Sequence, residues 1–516
     1  MTRFDMDYER DNKTSARGEG GGTVCRALRL PVSLCLLLTL FASGCAVGPD
    51  FKEPEAPPVS RYTSGEQPSS TITAEGESQR FDENVALNAD WWRLFNSTKL
   101  DAVMKDAFAN NQTLKSAEAS LRRSQDNLRA GYGVFFPQID AGAGASRQKS
   151  SSLSFSGNTS STIFNLYTLA GTVSYTLDVF GGERRAVESL SAQVDVERYT
   201  VVGAYLTLSG NILNTIIARA AYSEQIKATE ETVKLEQEQV DIAKAQAEAG
   251  IIPYSNVLSL ESQLSATEAN LPILKQQLSQ ADHLLATLTG RTPAEWTPPD
   301  VELADLKLPA DLPLSLPSDL VRQRPDILAS ESQLHSASAE IGVATAALFP
   351  NFTLSGNYGY NTTKLENLSK NAVSLWSIGA DIVAPIFHGG ELWYQRKAAI
   401  EAYNQSLADY RETVLSSFQQ VADTLRALEH DAETLKAQSD ALREADEALR
   451  LIEANYQAGI VDYLQVLIAN YQYYQAQINF IQAQAQRLQD TVAFYVALGG
   501  GWWNADENAP VKRAVK

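Results

Sequence analysis

Apolar and polar residues alternate with a period of two in four segments of the chain, and this pattern predicts four β-strands. The strands are expected at about 138–147, 167–180, 351–360 and 373–387. Each has one apolar and one polar face, as where Leu169, Val173 and Leu177 alternate with threonine and serine. Polar segments at 149–165 and 361–371 separate the strands of each pair and predict loops. The pattern therefore indicates two pairs of amphipathic strands.

Segments with apolar residues at helical spacing flank each strand pair. The expected helices cover residues 100–136, 183–249, a shorter segment to 288, 320–348, 391–458 and a last segment to 498. The segment 183–249 contains no proline, so it predicts one continuous helix of roughly 100 Å. Pro272 falls inside the next helix and predicts a kink there. The fold class is therefore mainly α with a smaller β part.

The two halves of the chain repeat one plan. Residues 249–258 and 458–467 are identical at six of ten positions, and their glycines are 209 residues apart (459 − 250). Gly250 and Gly459 each follow a very long helix, at the C′ position where the left-handed conformation favours glycine. We therefore expect an internally duplicated helix–strand–strand–long helix–helix unit. The expected domains are a first repeat at 99–290, a proline-rich connector at 291–317, a second repeat at 318–499 and a C-terminal tail at 500–516.

The beginning of the chain has the composition of a bacterial export signal. An apolar run at 30–44 follows Arg26 and Arg29, and it is short for a membrane-spanning helix, which needs roughly 20 residues. Its end, Phe-Ala-Ser-Gly-Cys, resembles a lipobox. Residues 1–44 are therefore expected to be removed, and Cys45 to carry lipid such as palmitate at the start of an N-terminal arm spanning 45–98. Ala46 favours sorting to the outer membrane.

Two points about this region stay open. An ordinary signal peptide with an incidental cysteine is the alternative to lipid attachment at Cys45. Residues 1–23 mix acids, bases and glycines and fit no signal. We therefore expect translation to start at Val24.

Charge and reactive side chains narrow the possible functions. The formal net charge is −19 without a basic cluster, which argues against a nucleic-acid partner. All three cysteines precede residue 46, so the body of the chain can form neither disulfides nor thiolate metal sites. The four histidines, at 283, 335, 388 and 430, are isolated. We expect no cofactor, no metal site and no catalytic residue, so the protein is not expected to be an enzyme.

The predicted strands suit a lipid bilayer, with the apolar face toward lipid and the polar face toward a lumen. Four strands cannot close, and an open edge in lipid leaves backbone groups unsatisfied, so the chain is expected to oligomerise. The long helices would form a hollow column whose tip exposes an apolar contact surface, made of Ile251, Ile252, Ile460 and Val461. Two alternatives stay open: a soluble β-sandwich, and tip residues that pack only against the neighbouring hairpin.

Several motifs resemble those of TolC-like outer-membrane efflux lipoproteins, of the subgroup that serves resistance–nodulation–division pumps. They are CAVGPDF at 45–51, WWRLF at 91–95, LPSDLVRQRPD at 316–326, Ala458-Gly459 with Asp462-Tyr463-Leu464, and ALGGGW at 497–502. The resemblance implies a homotrimer with a twelve-stranded barrel in the outer membrane and a twelve-helix tunnel in the periplasm. It implies a passive exit duct for drugs or other small solutes, fed by an inner-membrane pump through a periplasmic adaptor. The adaptor is expected to contact the tip at Gly250, Ile251, Ile252, Gly459, Ile460 and Val461.

One departure from the family pattern concerns closure of the tip. Relatives often carry an acidic residue and then an arginine on the helix after the second reversal, whereas Ile468 and Tyr471 occupy those places here. Asp462 and Leu464 are therefore the candidate gate, because threefold symmetry would turn each into a ring. A type I protein-secretion duct, a metal-efflux duct and a non-channel periplasmic structural lipoprotein are the alternative functions.

Overall fold

The computed structural model describes residues 46–64, 69–82, 85–153, 159–368, 372–506, 509, 511 and 512. Cys45 and the signal region 1–44 lie outside these residues. The helices are α1 Thr98–Asn110, α2 Gln112–Gly131, α3 Gly182–Glu248, α4 Tyr254–Glu268, α5 Asn270–Leu288, α6 Pro317–Leu320, α7 Pro325–Ala346, α8 Glu391–Gln457 and α9 Tyr463–Ala497.

Two helices of 67 residues each, α3 and α8, dominate the structure. They confirm the two very long helices expected from the absence of internal proline. Among the described helices, α3 is apolar enough over 18 residues to cross a membrane, but 61% of that window is buried inside the chain. The apolar segment of α3 therefore serves as a core helix of the array.

The expectation of one helix over 100–136 is wrong, because Asn111 separates α1 from α2. Asn111 has φ −57° and ψ 129°, and its Oδ1 accepts a hydrogen bond from the Leu114 N–H at 2.9 Å, which caps α2. Its Nδ2 donates to the Leu288 carbonyl at 2.9 Å and ties the break to the end of α5. An asparagine cap gives a partner to an N–H that the first turn of a helix leaves free, so it stabilises the start of α2 at this position.

Proline explains the other helix boundaries. The helix expected over 320–348 is divided into α6 and α7, because Pro325 keeps Arg324 extended (ψ 127°) and begins α7. The kink expected near Pro272 is present as the break at Ala269 between α4 and α5. Pro272 itself lies in the first turn of α5, where its missing N–H is not needed.

The strands are β1 Arg80–Asp82, β2 Gln138–Leu153, β3 Thr159–Leu177, β4 Asp311–Pro313, β5 Asn351–Thr362 and β6 Val373–Val383. β2, β3, β5 and β6 form an antiparallel sheet in that order, while β1 pairs with β4 in a small parallel sheet. All four predicted strands are therefore present, and β3 pairs with β5 to join the two halves of the chain.

The strand ends differ from the expectation. β2 and β3 extend into 149–165, which the sequence predicted as a loop, because the hairpin stays in register there, with Lys149 opposite Ile163. β6 ends at Val383 rather than at 387. Pro385 has no N–H to donate to a strand ladder, which accounts for the earlier end.

Each strand of the large sheet continues one helix of the array beneath it. α2 leads into β2, β3 into α3, α7 into β5 and β6 into α8. α2 packs on α3, α3 on α7 and α7 on α8, the same order as in the sheet. Farther from the sheet, α4 packs on α3, α3 on α9 and α9 on α8. Each strand and the long helix that continues it form one column, so the chain has four columns in the order β2–α2, β3–α3, β5–α7 and β6–α8. The sheet and the helical array therefore end on the same two sides, at β2 with α2 and at β6 with α8.

Candidate functional site: duct wall and tip

The strand register places the apolar faces of all four strands on one side of the sheet. One row across the sheet consists of Ile139, Val173, Gly356 and Ile378. The next row, which faces the other side, consists of Asp140, Thr172, Asn357 and Ser377. The sheet therefore has one apolar wall and one polar wall, as the alternation in the sequence predicted.

The apolar wall has the exposure and height expected of a surface that faces lipid. Trp376 and Ile378 are 71% and 83% exposed in the single chain. On β3 the wall extends from Leu177 to Tyr167, which is about 33 Å along the strand, or roughly 25 Å of height at the usual tilt of a barrel strand. Tyr167 and Tyr360 lie toward its far end, and Tyr358 and Trp376 lie nearer the middle, in the row of Gly171, four residues from Tyr167. Such aromatic rings are typical of the boundary between hydrocarbon and headgroups.

The two helical reversals share one backbone geometry. After α3 the Gly250 N–H donates to the Ala247 carbonyl at 3.0 Å, and the Ile251 N–H to the Gln246 carbonyl at 2.9 Å. The same two bonds follow α8, around Gly459. Both glycines have positive φ, 72° and 74°. This pair of bonds is the Schellman motif, so the helix-end role predicted for both glycines is confirmed.

Side chains at the tip divide into exposed and packed ones. Ile251 and Ile460 are 71% and 72% exposed. Ile252 instead packs on a small core cluster together with Tyr463 and Leu467 of the second hairpin. Val461 is half-buried. The buried members of that cluster lie on α3 and α4 of the first hairpin, so packing on its own hairpin accounts for Ile252 and leaves the two exposed isoleucines available for other contacts.

The candidate gate residues lie at the start of α9. Asp462 is the N-cap, and its Oδ1 accepts a hydrogen bond from the Gln465 N–H at 3.3 Å. Leu464 in the first turn is 58% exposed, and Ile468 and Tyr471 are 50% and 49% exposed. Spacings of four and three residues place these three side chains on one face of the helix. The structure thus shows an apolar stripe along α9, which extends the candidate gate beyond Leu464.

The arm that follows Cys45 is held at the junction between sheet and helices. The Val47 N–H donates to the Phe180 carbonyl at 2.9 Å, between β3 and α3. The buried Arg185 of α3 pairs with Asp50 at 2.6 Å. Val47, two residues after the expected lipid site, therefore lies next to the segment that joins β3 to α3.

A pair of carboxyl groups lies between α8 and α9. Burial and a hydrogen bond with Asp490 raise the pKa of Asp431 to about 8. Arg487 opposes this shift; it is 2% exposed and donates to Gln79 Oε1 and Thr71 Oγ1 of the arm, each at 3.4 Å. The pair therefore keeps a proton at neutral pH, at a point where the arm meets both helices.

Two of the four histidines, His335 and His430, make side-chain contacts within the chain. His335 stacks on Phe51, with ring centroids 4.4 Å apart, and its Nε2 lies 3.0 Å from Glu188 Oε1. His430 lies 3.2 Å from Glu433. No group of three His, Cys, Asp or Glu side chains within the described residues is arranged to hold a metal ion.

The motifs that contain Arg324 and Trp91 have structural roles that the sequence analysis did not identify. The buried Arg324 pairs with Asp326 at 2.6 Å and 3.0 Å and donates to the Ala497 carbonyl at 2.8 Å. Trp91 stacks on Tyr495 of α9, with ring centroids 5.3 Å apart. Arg324 and Trp91 therefore hold the start of α7 and the N-terminal arm against the C-terminal end of α9. The sequence signal for this ion pair was the Arg324-Pro325-Asp326 segment, in which an arginine stands two residues before an aspartate.

Residues 103–291 and 316–500 match the outer membrane efflux protein family, and the chain belongs to that family. It is accordingly an outer-membrane efflux duct. The pyoverdine export outer membrane protein OpmQ of Pseudomonas aeruginosa is 30% identical over 416 residues, 80% of this chain and 87% of OpmQ. The toluene efflux pump outer membrane protein TtgC of Pseudomonas putida is 29% identical over 495 residues, 94% of this chain and 98% of TtgC. The solved structure of the outer-membrane channel OprN superposes with a TM-score of 0.78 at 26% identity, covering 89% of this chain and all of that one.

Proposed function

We propose that three copies of this chain form the outer-membrane channel of a tripartite efflux system. Their sheets close a twelve-stranded barrel, and their helix columns close a twelve-helix tunnel in the periplasm. Small solutes enter from an inner-membrane resistance–nodulation–division pump through a periplasmic adaptor and leave passively. Relatives named for pyoverdine and toluene export handle very different compounds. This difference supports a duct that imposes little chemical selection.

The observation that carries the proposal is the common order of the four columns in both layers. The sheet ends at β2 and β6, and the helical array ends at α2 and α8 on the same two sides. In lipid, an open strand edge leaves N–H and C=O groups without partners, at a cost of several kcal/mol each. Rotation of copies about one axis brings β2 of one copy beside β6 of the next, so it removes the open edges of both layers together.

Lipid attachment at Cys45 is part of this proposal. The Val47 N–H donates to the carbonyl of Phe180, three residues after β3 ends at Leu177, and Leu177 marks the lower edge of the apolar wall. Two residues of chain span at most about 7 Å, so the proposed lipid site is within that distance of Val47. Mass spectrometry of the mature protein should show an acylated N-terminal cysteine. An unmodified N-terminus elsewhere would contradict this part alone.

The two reversals form the proposed adaptor contact. Ile251 and Ile460 are the exposed apolar side chains, on turns fixed by Gly250 and Gly459. Ile252 and Val461, both half-buried, are the next residues in the two turns. We place the resting gate at Asp462 and Leu464, at the start of α9.

The test combines assembly and conduction. The purified protein should migrate as a heat-modifiable trimer and open channels in planar bilayers. In a strain that lacks its own efflux ducts, the chain with its cognate adaptor and pump should lower the accumulation of a fluorescent drug. A stable monomer without conductance would favour the non-channel periplasmic lipoprotein. Export of a protein in place of small solutes would favour the type I secretion duct.

A further inference from the structure

Two basic side chains, Arg147 and Lys149, lie just beyond the aromatic end of the apolar wall. β2 pairs Ala145 with Tyr167, and the next residues on the same face are Arg147 and then Lys149. At about 3.3 Å per residue they lie roughly 7 Å and 13 Å along the strand beyond the row of Tyr167. We propose that this pair, the outer basic pair, binds the phosphates of anionic glycolipid in the outer leaflet of the membrane.

The register decides which side of the sheet these charges face. Odd-numbered residues of β2, from Ile139 to Ala145, belong to the apolar wall, so Arg147 and Lys149 share the lipid side. Gln148 lies between them and belongs to the polar wall. The polar headgroup zone adds roughly 5–8 Å to each side of the hydrocarbon, and at the usual strand tilt 7 Å along β2 is roughly 5 Å of height, so Arg147 lies within that zone. The flexible stem of Lys149 can bring its ammonium group back to the same zone.

The charge around the outer basic pair differs from that of the whole chain. The net charge is −19 overall, yet residues 141–177 contain Arg147 and Lys149 and no acidic residue. Both side chains are exposed and form no ion pair within the part of the chain that the structure describes. An acidic protein that concentrates unpaired basic groups at one depth, on its lipid side, presents a surface complementary to phosphate.

The inference rests on the proposed barrel orientation, and the test separates the two. Detergent-solubilised trimers are titrated with bisphosphorylated lipid A and followed by native mass spectrometry. Removal of both charges in Arg147→Gln/Lys149→Gln should weaken binding by about 25-fold, since each basic residue near an anionic surface contributes about fivefold. Dephosphorylated lipid A should bind both proteins equally weakly. Inorganic phosphate at the same concentration should not compete, because the free ion lacks the acyl chains that the apolar wall holds.

Two control variants define the outcome. Gln148→Lys adds a charge on the polar wall, so it should shift channel selectivity toward anions and leave lipid affinity unchanged. Lys234→Gln/Lys307→Gln removes two exposed charges from the helical part and should also leave lipid affinity unchanged. Equal affinity of wild type and Arg147→Gln/Lys149→Gln for the bisphosphorylated lipid overturns the inference, as does a changed ion selectivity in that variant. Absence of conductance from every trimer would instead count against the proposed channel.

Discussion

Gly48 of the N-terminal arm lies directly against Gly342 of α7. A Cβ atom on Gly48 would come within 2.5 Å of the Gly342 Cα, and Gly48 has a φ of 97°. The arm can therefore pass this point only where both residues lack a side chain. The contact lies three residues after the expected lipid site, so it holds the start of the arm against α7.

Gly48→Ala is expected to loosen the arm. Alanine with positive φ costs about 1–2 kcal/mol, and the clash with Gly342 adds to that strain. Thermal unfolding and limited proteolysis of the arm measure the effect. Gly76→Ala is the matched control, because Gly76 has a φ of 77° but nothing within 4 Å of the added Cβ. Equal losses in the two variants would mean that the contact with Gly342 contributes nothing.

The Asp431–Asp490 pair should make stability depend on pH. Burial, and then Asp490, raise the pKa of Asp431 from 3.8 to about 8. The folded chain thus binds more protons than the unfolded chain between these values, so stability should fall as the pH rises from about 4 to 8. Asp431→Asn cannot ionise and should flatten this decline. Thermal unfolding at about pH 5, 7 and 9 measures it.

Asp440→Asn on the same helix is the control for this experiment. A hydrogen bond from Lys436 lowers the pKa of the exposed Asp440, so its small contribution is lost only as the pH falls below the ordinary carboxyl range. The decline between about pH 4 and 8 should therefore persist in Asp440→Asn. If the stability of Asp431→Asn falls over this pH range as much as that of the wild type, another group causes the decline.

The sequence predicted the two faces of the wall because side chains alternate along any strand. The rows through Val173 and Thr172 therefore follow from the pattern once the strands pair in register. The reversals were predictable too, since glycine at C′ has a local physical cause. Both features depend on near neighbours in the chain.

The helix breaks and the carboxyl pair depend on more distant contacts. Asn111 stops a helix partly because its side chain reaches Leu288, and Asp431 meets Asp490 on a different helix. No local pattern reports these contacts. The spacing of Leu464, Ile468 and Tyr471 in the sequence predicts that they share one face of a helix. That this face is exposed on α9 follows only from how the four columns pack.

A charge on the apolar wall should prevent barrel assembly. Ile378 is 83% exposed on that wall, and Ile378→Arg is expected to cost about 2–4 kcal/mol near the bilayer midplane. Ser377→Arg, one residue earlier on the polar wall, should be tolerated and should alter ion selectivity. The yield of heat-modifiable trimers in membranes compares the two. Equal yields would contradict the assignment of the apolar face to lipid.

The gate prediction must separate two roles of Asp462. Its carboxylate caps α9, so Asp462→Ala loses both the charge and a cap that contributes about 1 kcal/mol. Asp462→Asn keeps the cap and removes only the charge. Resting single-channel conductance should rise in Leu464→Ala and rise further in Asp462→Ala/Leu464→Ala. If the carboxylate ring contributes to closure, Asp462→Asn should raise it as well.

Leu258→Ala controls for the loss of an exposed leucine near the tip. Leu258 is 53% exposed in α4, after the first reversal, where no gate residue is proposed. Its conductance should match that of the wild type. Tyr471→Ala should behave like Leu464→Ala if the apolar stripe closes the tunnel by excluding water, because such closure depends on apolar area and little on salt. Unchanged conductance in both Leu464→Ala and Tyr471→Ala would remove the stripe from the gate and leave Asp462 as the residue to test.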